Sequence, residues 1–387
     1  MRPLSPEEWG WFWVLAAPSL AVLAMVLLNL ALWPRGRASG RIPGRVSVCI
    51  PARNEARRIV ACVRATLGGT RRPDEVLVYD DGSTDGTTEI LERLEATERG
   101  LRVIQGGDLP PGWLGKPWAC HRLAQEATGD VLVFLDADTI PTRTCLARLG
   151  YVMEGWSADL VTASPRQVTG TLTEQMVIPL LDLRYLAWLP LPLVWRSKAP
   201  RIRVSNGQLV GVRREALEKA GGWEAAAAAV ADADALAMRF KERGMRVVFA
   251  QGQGMATGRM FDSRAELWAG LSRTFYHRLV RRPLALVLAL LLYGALFAPF
   301  VGIWQAFSGR PVLLWPSVAG VGANVVLRIA LAIRLRQNSS GILLHPVGLI
   351  WLFCIALNSF RLSRRGVLDW RGRHYDLGGL HVDPLRK

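Results

Sequence analysis

The sequence predicts an α/β domain with a mostly parallel sheet and helices on both faces, flanked by transmembrane helices. Three observations carry this reading. Short apolar runs alternate with helical periodicity between residues 46 and 135. An uncharged apolar run fills Trp11 to Trp33, and a second apolar block starts at Pro283. The 387 residues are 50% hydrophobic yet carry a formal net charge of +16, with mean hydropathy +0.19 and an isoelectric point near 10.6. Arginine clusters beside apolar runs are what anionic lipid surfaces and the positive-inside rule select, so this basicity points to a membrane. Disorder, a collagen repeat and a disulfide framework do not fit the composition.

The first apolar run is long enough to cross a bilayer, since at ~1.5 Å per residue it covers ~35 Å against a hydrocarbon core of about 30 Å. Trp11, Trp13 and Trp33 lie near its ends, where interfacial aromatics collect. Glu7 and Glu8 precede it, and Arg35, Arg37, Arg41 and Arg45 follow. The charge asymmetry puts the N-terminus outside and the following residues in the cytoplasm. A cleaved signal peptide would have a shorter apolar region and a small-residue cleavage site. Residues 284–307 and 312–333 read as two further spans around Ser308-Gly309-Arg310. The stretch 342–360 is a weaker third, because it carries His345, Pro346 and Asn358. Arginines on both sides of it conflict with one full crossing, so it is re-entrant or interfacial, or an earlier block is a hairpin. The chain thus divides into an anchor (1–34), a soluble domain (46–278), a membrane region of two or three helices (283–360) and a basic tail (361–387).

Within the soluble domain the elements follow in order. Val46 to Ile50, Val76 to Tyr79, Leu101 to Gln105 and Val131 to Leu135 are short, β-rich apolar runs. Residues 55–67, 87–98 and 117–127 between them read as helices. Strands alternating with helices mean a mostly parallel sheet, and such sheets bind ligands beyond the carboxyl ends of their strands. Three polar clusters fall there: Arg53-Asn54-Glu55, Asp80-Asp81 and Asp136-Ala137-Asp138. Cys49, Cys62, Cys120, Cys145 and Cys354 form no Cys-x-x-Cys pair. They read as idle thiols in a reducing compartment, not as a zinc site.

Two carboxylates two residues apart at a strand end can hold a hard divalent cation, or simply form a solvated turn. Asp80-Asp81-Gly82-Ser83-Thr84-Asp85 offers acceptors for a base or ribose, and equally a helix cap. Lys116 can face a phosphate as a point charge or stand on the surface. No Walker A or Gly-x-Ser-x-Gly pattern occurs, and no basic-aromatic interleaving of the kind that binds nucleic acid.

Pro51-Ala52-Arg53-Asn54-Glu55, then Asp80 to Gly86, then Asp136-Ala137-Asp138, in that order, resemble the inverting family 2 glycosyltransferases with the GT-A fold. Pro111 to Lys116, Asn206-Gly207-Gln208, Gly221-Gly222-Trp223, Glu266 to Arg273 and Trp370 to Tyr375 are similar to the membrane-bound branch associated with hopanoid, carotenoid and related polyprenoid pathways. The resemblance implies a nucleotide-sugar donor, a lipid acceptor and Mg²⁺ or Mn²⁺. It places Pro51, Arg53 and Glu55 in the nucleotide pocket and Asp80 or Asp81 on the nucleobase. It places Asp138 and Asp136 on the metal at the diphosphate, and implies an integral membrane protein with its catalytic domain in the cytoplasm.

The chain departs from that family at the general base. Relatives carry Glu-Asp before a Leu-Ala-x-Arg helix. Here Leu236-Ala237-Met238-Arg239 sets the register, so Asp232 takes the Glu position and Ala233 the Asp position, with Asp234 next. One residue turns a helical side chain by ~100°. Asp232 or Asp234 serves as base after a local shift, or another group does, or the chain is a weak or inactive member acting as a partner in lipid or envelope biosynthesis. Processive polymer synthesis does not fit, because a Gln-x-x-Arg-Trp element is missing where Ser272 to Arg278 stands. His121 reads as structural and His277 as a headgroup contact.

Overall fold

The computed structural model describes residues 5–275, 283–363, 367–370 and 373–376. In chain order it runs α1 (Pro6–Leu15), α2 (Ala17–Leu32), β1 (Val46–Ala52), α3 (Ile59–Leu67), β2 (Glu75–Asp80) and α4 (Thr87–Thr97). Next come β3 (Leu101–Gln105), α5 (Gly115–Glu126), β4 (Val131–Leu135), β5 (Thr139–Pro141), α6 (Cys145–Gly155) and β6 (Leu160–Gln167). Three helices follow: α7 (Leu172–Leu181), α8 (Leu183–Leu186) and α9 (Pro192–Arg196). Then come β7 (Leu209–Arg213), α10 (Arg214–Ala220), α11 (Asp232–Glu242), β8 (Val247–Gly258) and α12 (Arg264–Phe275). The chain closes with α13 (Pro283–Phe307), α14 (Leu314–Leu335), α15 (Ser340–Leu343), α16 (His345–Ser363), β9 (Val367–Trp370) and β10 (Arg373–Asp376).

Contacts divide the chain into two compact units. One holds Trp33–Arg166, Leu191–Met260 and the described residues from Val367 on. Its main sheet has eight strands in the order β3-β2-β1-β4-β7-β6-β8-β5. The four strands read from the sequence pair in parallel, with Val48 opposite both Val76 and Val133. The other half is antiparallel, through β4 with β7, β7 with β6, and β8 with β5. The sheet is therefore mixed, and parallel pairing is confined to the half that alternates with helices. β1 shows why both faces are covered. Val46, Val48 and Ile50 enter one apolar cluster with Ile59, Val63 and Leu149, while Cys49 enters another with Leu123, Leu217 and Phe240. Alternate side chains of a strand point to opposite faces, and each face carries helices.

Residues ahead of β1 are tied to β8. The Trp33 ring stacks on Phe249 at 5.2 Å, Gln251 N–H donates to Pro34 O at 2.8 Å, and Arg35 bridges Gln251 in parallel. Arg148 Nη1 donates to Gly36 O at 2.8 Å.

The second unit gathers Ser5–Leu32, Gln167–Pro190 and the described residues from Phe261 to Ser363. Among the described residues two helices are long and apolar enough to cross a membrane, Val287–Phe307 and Pro311–Leu335. A third span results if α1 and α2 count as one. That pair bends by 45°, where the sequence reads one continuous run. Pro18, near the start of α2, explains the break, because it lacks an N–H and crowds the preceding turn. Glu8 is nearly buried and forms a capping box with Ser5, so it starts α1 instead of merely flanking a span. Trp13, Trp304, Trp315 and Phe307 face outward near helix ends, as at a lipid interface. The weaker stretch 342–360 forms α15 and α16, broken at Leu344 just before Pro346.

This division differs from the single domain 46–278 read from the sequence. Met176, Val177, Ile178 and Leu180 of α7 are buried, and α7 packs on α15 and α16. Leu267 and Leu271 of α12 are buried, and Trp268 meets Trp351 edge-on at 5.3 Å. His277, Arg278, Arg281, Arg282 and most of the basic tail lie outside the described residues.

Candidate active site

The parallel register sets the ends of β1, β2 and β4 side by side, and the polar clusters follow those ends. Ala52 pairs with Asp80, and Asp81 N–H donates to Ala52 O at 2.8 Å. Arg53 Nη1 donates to the carbonyls of Asp81 and of Gly82, the latter at 3.0 Å. Asn54 sits at φ 54° and its Oδ1 accepts from Thr84 N–H at 2.8 Å. Glu55 is nearly buried, and its N–H donates to Thr87 Oγ1 at 2.8 Å. The two loops are thus laced together. Gly82 and Gly86, at φ 66° and 90°, supply the left-handed turns that the second loop needs.

Asp80 and Asp81 part company here. Asp80 is fully buried. Its Oδ1 accepts from Ser83 N–H (3.1 Å) and Ser83 Oγ (2.5 Å), and its Oδ2 from Thr88 Oγ1 (2.5 Å). Both oxygens shape the turn into α4. Asp85 plays a similar part, accepting from Thr87 and from Ala56 N–H, so that its carboxyl is held below the usual range although burial opposes this. Of the pair, Asp81 is therefore the nucleobase candidate.

Lys116, in the first turn of α5, is the hub of the site. Its Nζ lies 2.7 Å from Asp136 Oδ1 and 3.2 Å from Asp232 Oδ2, and donates to Gly207 O at 3.3 Å. Burial works against its charge, but Asp136 and Asp232 outweigh that and raise its pKa. Asp136 is pushed up to about 6 by burial, with Asp138 and Asp232 adding and Lys116 opposing. Asp138 Oδ1 accepts from Thr139 Oγ1 at 3.1 Å. The loop Asn206-Gly207-Gln208 completes this wall. Gln208 O accepts from Asp136 N–H at 3.1 Å, and Asn206 Oδ1 from Gln208 N–H at 2.9 Å. Gly207 leaves room for the charges: a Cβ there would fall 3.0 Å from Asp232 Oδ1 and 3.3 Å from Lys116 Nζ.

The start of α11 decides the orientation of the acidic pair. Asp232 is its first residue and turns toward Lys116, with Oδ1 also accepting from Ala233 N–H at 2.8 Å. Ala233 points into the apolar cluster with Trp223 and Phe240. Asp234 Oδ2 is held at 2.7 Å by Arg203 Nη2, whose side chain is 5% exposed and whose Nη1 donates to Pro200 O at 2.7 Å. Lys241 on the same helix donates to Val194 O (2.6 Å) and Ser197 O (2.7 Å). Sequence reasoning missed Arg203 and Lys241, which stand without any motif around them. His121 packs on Trp118 and Trp113, with Nδ1 3.4 Å from Glu224 Oε1, as a structural residue would.

Residues 47–221 match the family model for Glycosyl transferase family 2. The chain contains a family 2 glycosyltransferase domain. It is 23% identical over 347 residues to 4,4'-diaponeurosporenoate glycosyltransferase of Staphylococcus aureus, covering 86% of this chain and 88% of that one. The protein of the same name from Staphylococcus haemolyticus is 33% identical over 102 residues, 26% of each chain. Among solved structures, a mannosyltransferase from Pyrobaculum calidifontis in complex with GDP-Man and Mn²⁺ superposes with a TM-score of 0.53 at 20% identity. It covers 89% of this chain and 97% of that chain, and fixes the fold as GT-A.

Two carboxylates of the site could hold a divalent cation. Asp136 and Asp138 are hard oxygen ligands at one strand end. Asp136, Asp138 and Asp232 against Lys116 leave two negative charges to neutralise. Among the described residues no group of three or more His, Cys, Asp or Glu side chains converges as a cage. Two carboxylates with substrate phosphates completing the sphere is the usual arrangement for Mg²⁺ at a diphosphate.

Proposed function

We propose that this glycosyltransferase moves a sugar, with inversion, from a nucleoside-diphosphate sugar to an isoprenoid-type lipid at the cytoplasmic membrane face. The observation that carries the reading is Lys116 held between Asp136 and Asp232, with Asp138 beside Asp136 at the strand end. The two kinds of charge suit two tasks, holding a diphosphate and accepting a proton. The acceptor class rests on the relatives' printed name and on the apolar helices. The cytoplasmic side rests on the arginines after the first apolar run.

In this reading Asp81 accepts hydrogen bonds from the nucleobase, and Arg53 holds its loop. Pro51 and Glu55 line the nucleotide side. Asp138 and Asp136 would hold Mg²⁺ or Mn²⁺, which supplies Lewis-acid neutralisation of the leaving diphosphate. Lys116 adds a fixed positive charge and orients Asp232. Asp232 takes the proton from the acceptor oxygen as that oxygen attacks the anomeric carbon from the face opposite the leaving group. One base opposite one stabilised leaving group is what inversion requires.

The test uses full-length protein in detergent, with labelled UDP- and GDP-sugars, Mn²⁺, and polyprenoid acids and alcohols. Label entering the organic phase, with inverted anomeric configuration read by NMR, supports the reading. Retained configuration, or label reaching only water-soluble products, overturns it.

A further inference from the structure

The membrane unit holds a positive charge that its own acid does not satisfy. Arg328, on α14, is fully buried, and none of its three guanidinium nitrogens has a hydrogen-bond partner. The nearby acid is Asp182, between α7 and α8, whose Oδ2 is taken by Gln337 Nε2 at 2.6 Å. Burial pushes the Asp182 carboxyl up to about 7, against the pull of Arg328, Gln337 and Arg184. Arg184 is a second guanidinium beside the same acid, stacked over the Tyr185 ring at 4.5 Å. Two arginines against one carboxylate leave one positive charge over. His345 lies within range of Arg328, is 2% exposed, and has no partner on either ring nitrogen. The cluster is thus rich in donors and short of an acceptor. Buried charges are ordinarily paired, and an arginine among membrane helices marks a functional site.

Its depth suits a lipid head. Seven residues separate Arg328 from the helix end at Leu335, about 10 Å along the axis. Arg334 and Arg336 stand at that end. Arg328 therefore lies about two turns inside the apolar helix from its basic end. Gly341, on the four-residue helix α15, backs onto it: a Cβ there would fall 2.7 Å from Nη2 and 2.6 Å from Gln175 O. α15 would have to move aside for a head to reach the guanidinium.

We propose that Arg328, with His345 and Arg184, forms a binding site in the membrane unit for the carboxylate or phosphate head of a single-chain anionic amphiphile. Asp182 occupies part of the same field and competes with that head. This site is independent of the transfer reaction, and its test measures binding alone.

The experiment follows thermal unfolding of the full chain in a neutral detergent. Oleate and lysophosphatidic acid are compared with monoolein, and with acetate and inorganic phosphate as heads without tails. A ligand that binds only the folded state raises the midpoint with the logarithm of its concentration. The expected result is a rise of several degrees with both anionic amphiphiles and none with monoolein. Arg328→Gln abolishes the rise. Asp182→Asn removes the competing carboxylate and enlarges it, which keeps the test open if Arg328→Gln fails to fold. An equal rise with inorganic phosphate assigns the same site to a free anion. An equal rise with monoolein, an undiminished rise in Arg328→Gln, or an unchanged one in Asp182→Asn overturns the proposal.

Discussion

Asp232→Asn separates proton transfer from architecture at one atom. Asparagine keeps the shape and keeps an oxygen for Ala233 N–H, the 2.8 Å contact at the start of α11. It loses the charge facing Lys116 at 3.2 Å, while Asp136 still holds that lysine at 2.7 Å. One charge-assisted contact is worth ~1.5–3 kcal/mol, but its loss also relieves repulsion from Asp136 and Asp138, so stability should move by about 1 kcal/mol or less. Turnover should not be spared. Loss of a general base costs ~10²- to 10⁴-fold, which is about 3–5 kcal/mol of barrier. Donor KM should stay within a few-fold, because the diphosphate side is untouched. The assay is steady-state transfer to a lipid acceptor, run beside Asp234→Asn. Asp234 touches Arg203, not Lys116, so its variant should lose less than about tenfold in turnover and about 1–2 kcal/mol in stability. A larger loss of turnover in Asp234→Asn than in Asp232→Asn would refute the assignment of the base.

Ala233→Asp puts a carboxylate at a buried position of the apolar cluster, so it should cost roughly 2–4 kcal/mol by denaturant unfolding and bring no gain in turnover. A gain would mean that the helix start rotates and that Asp232 is not the base. Asp138→Ala should remove stabilisation by nucleoside diphosphate with Mn²⁺, and chelation should do the same to the wild type, both read by thermal shift. Gly207→Ala presses on Asp232 and Lys116 and should lower turnover several-fold with an unchanged unfolding midpoint. Burial lowers Lys241 to about 8, from 10.5. Between those values the unfolded chain binds more protons, so this group's contribution to stability increases as pH rises from about 8 toward 10.5. Lys241→Met should flatten that part of the midpoint-against-pH curve.

The legible half of the fold is the half in which short-range pattern and three-dimensional role coincide. β1, β2 and β4 each read as a mainly apolar run followed by polar residues, because a parallel strand buried on both faces is largely apolar and its ligand-facing end is not; β3, at the sheet edge, keeps the pattern with Arg102 exposed. Beyond residue 150 the strands lose that simplicity. β7 follows Asn206-Gly207-Gln208, and β6 carries Ser164, Arg166 and Gln167. Antiparallel pairing there depends on partners far apart in sequence. α7 is ten residues long with Glu174 in its first turn, so no length rule ties it to α15 and α16, on which it packs. In the candidate site, Lys116 and Asp136, both singled out by position in the sequence, meet at 2.7 Å. The different partners of Asp232 and Asp234 were not legible, since they depend on where α11 begins and on Arg203 meeting one of them.

The stretch between α2 and β1 bears on where the sheet-bearing unit could be cut free. It is not slack tether. Trp33 roofs Phe249, Pro34 and Arg35 extend the edge of β8, and Gly36 is pinned by Arg148. A version starting at Val46, the first residue of the sheet, would strip that roof and leave Phe249 and a run of β8 backbone open to water and to other strands. Starting at Trp33 keeps the seam closed, so solubility should turn on thirteen residues that lie outside every recognisable motif.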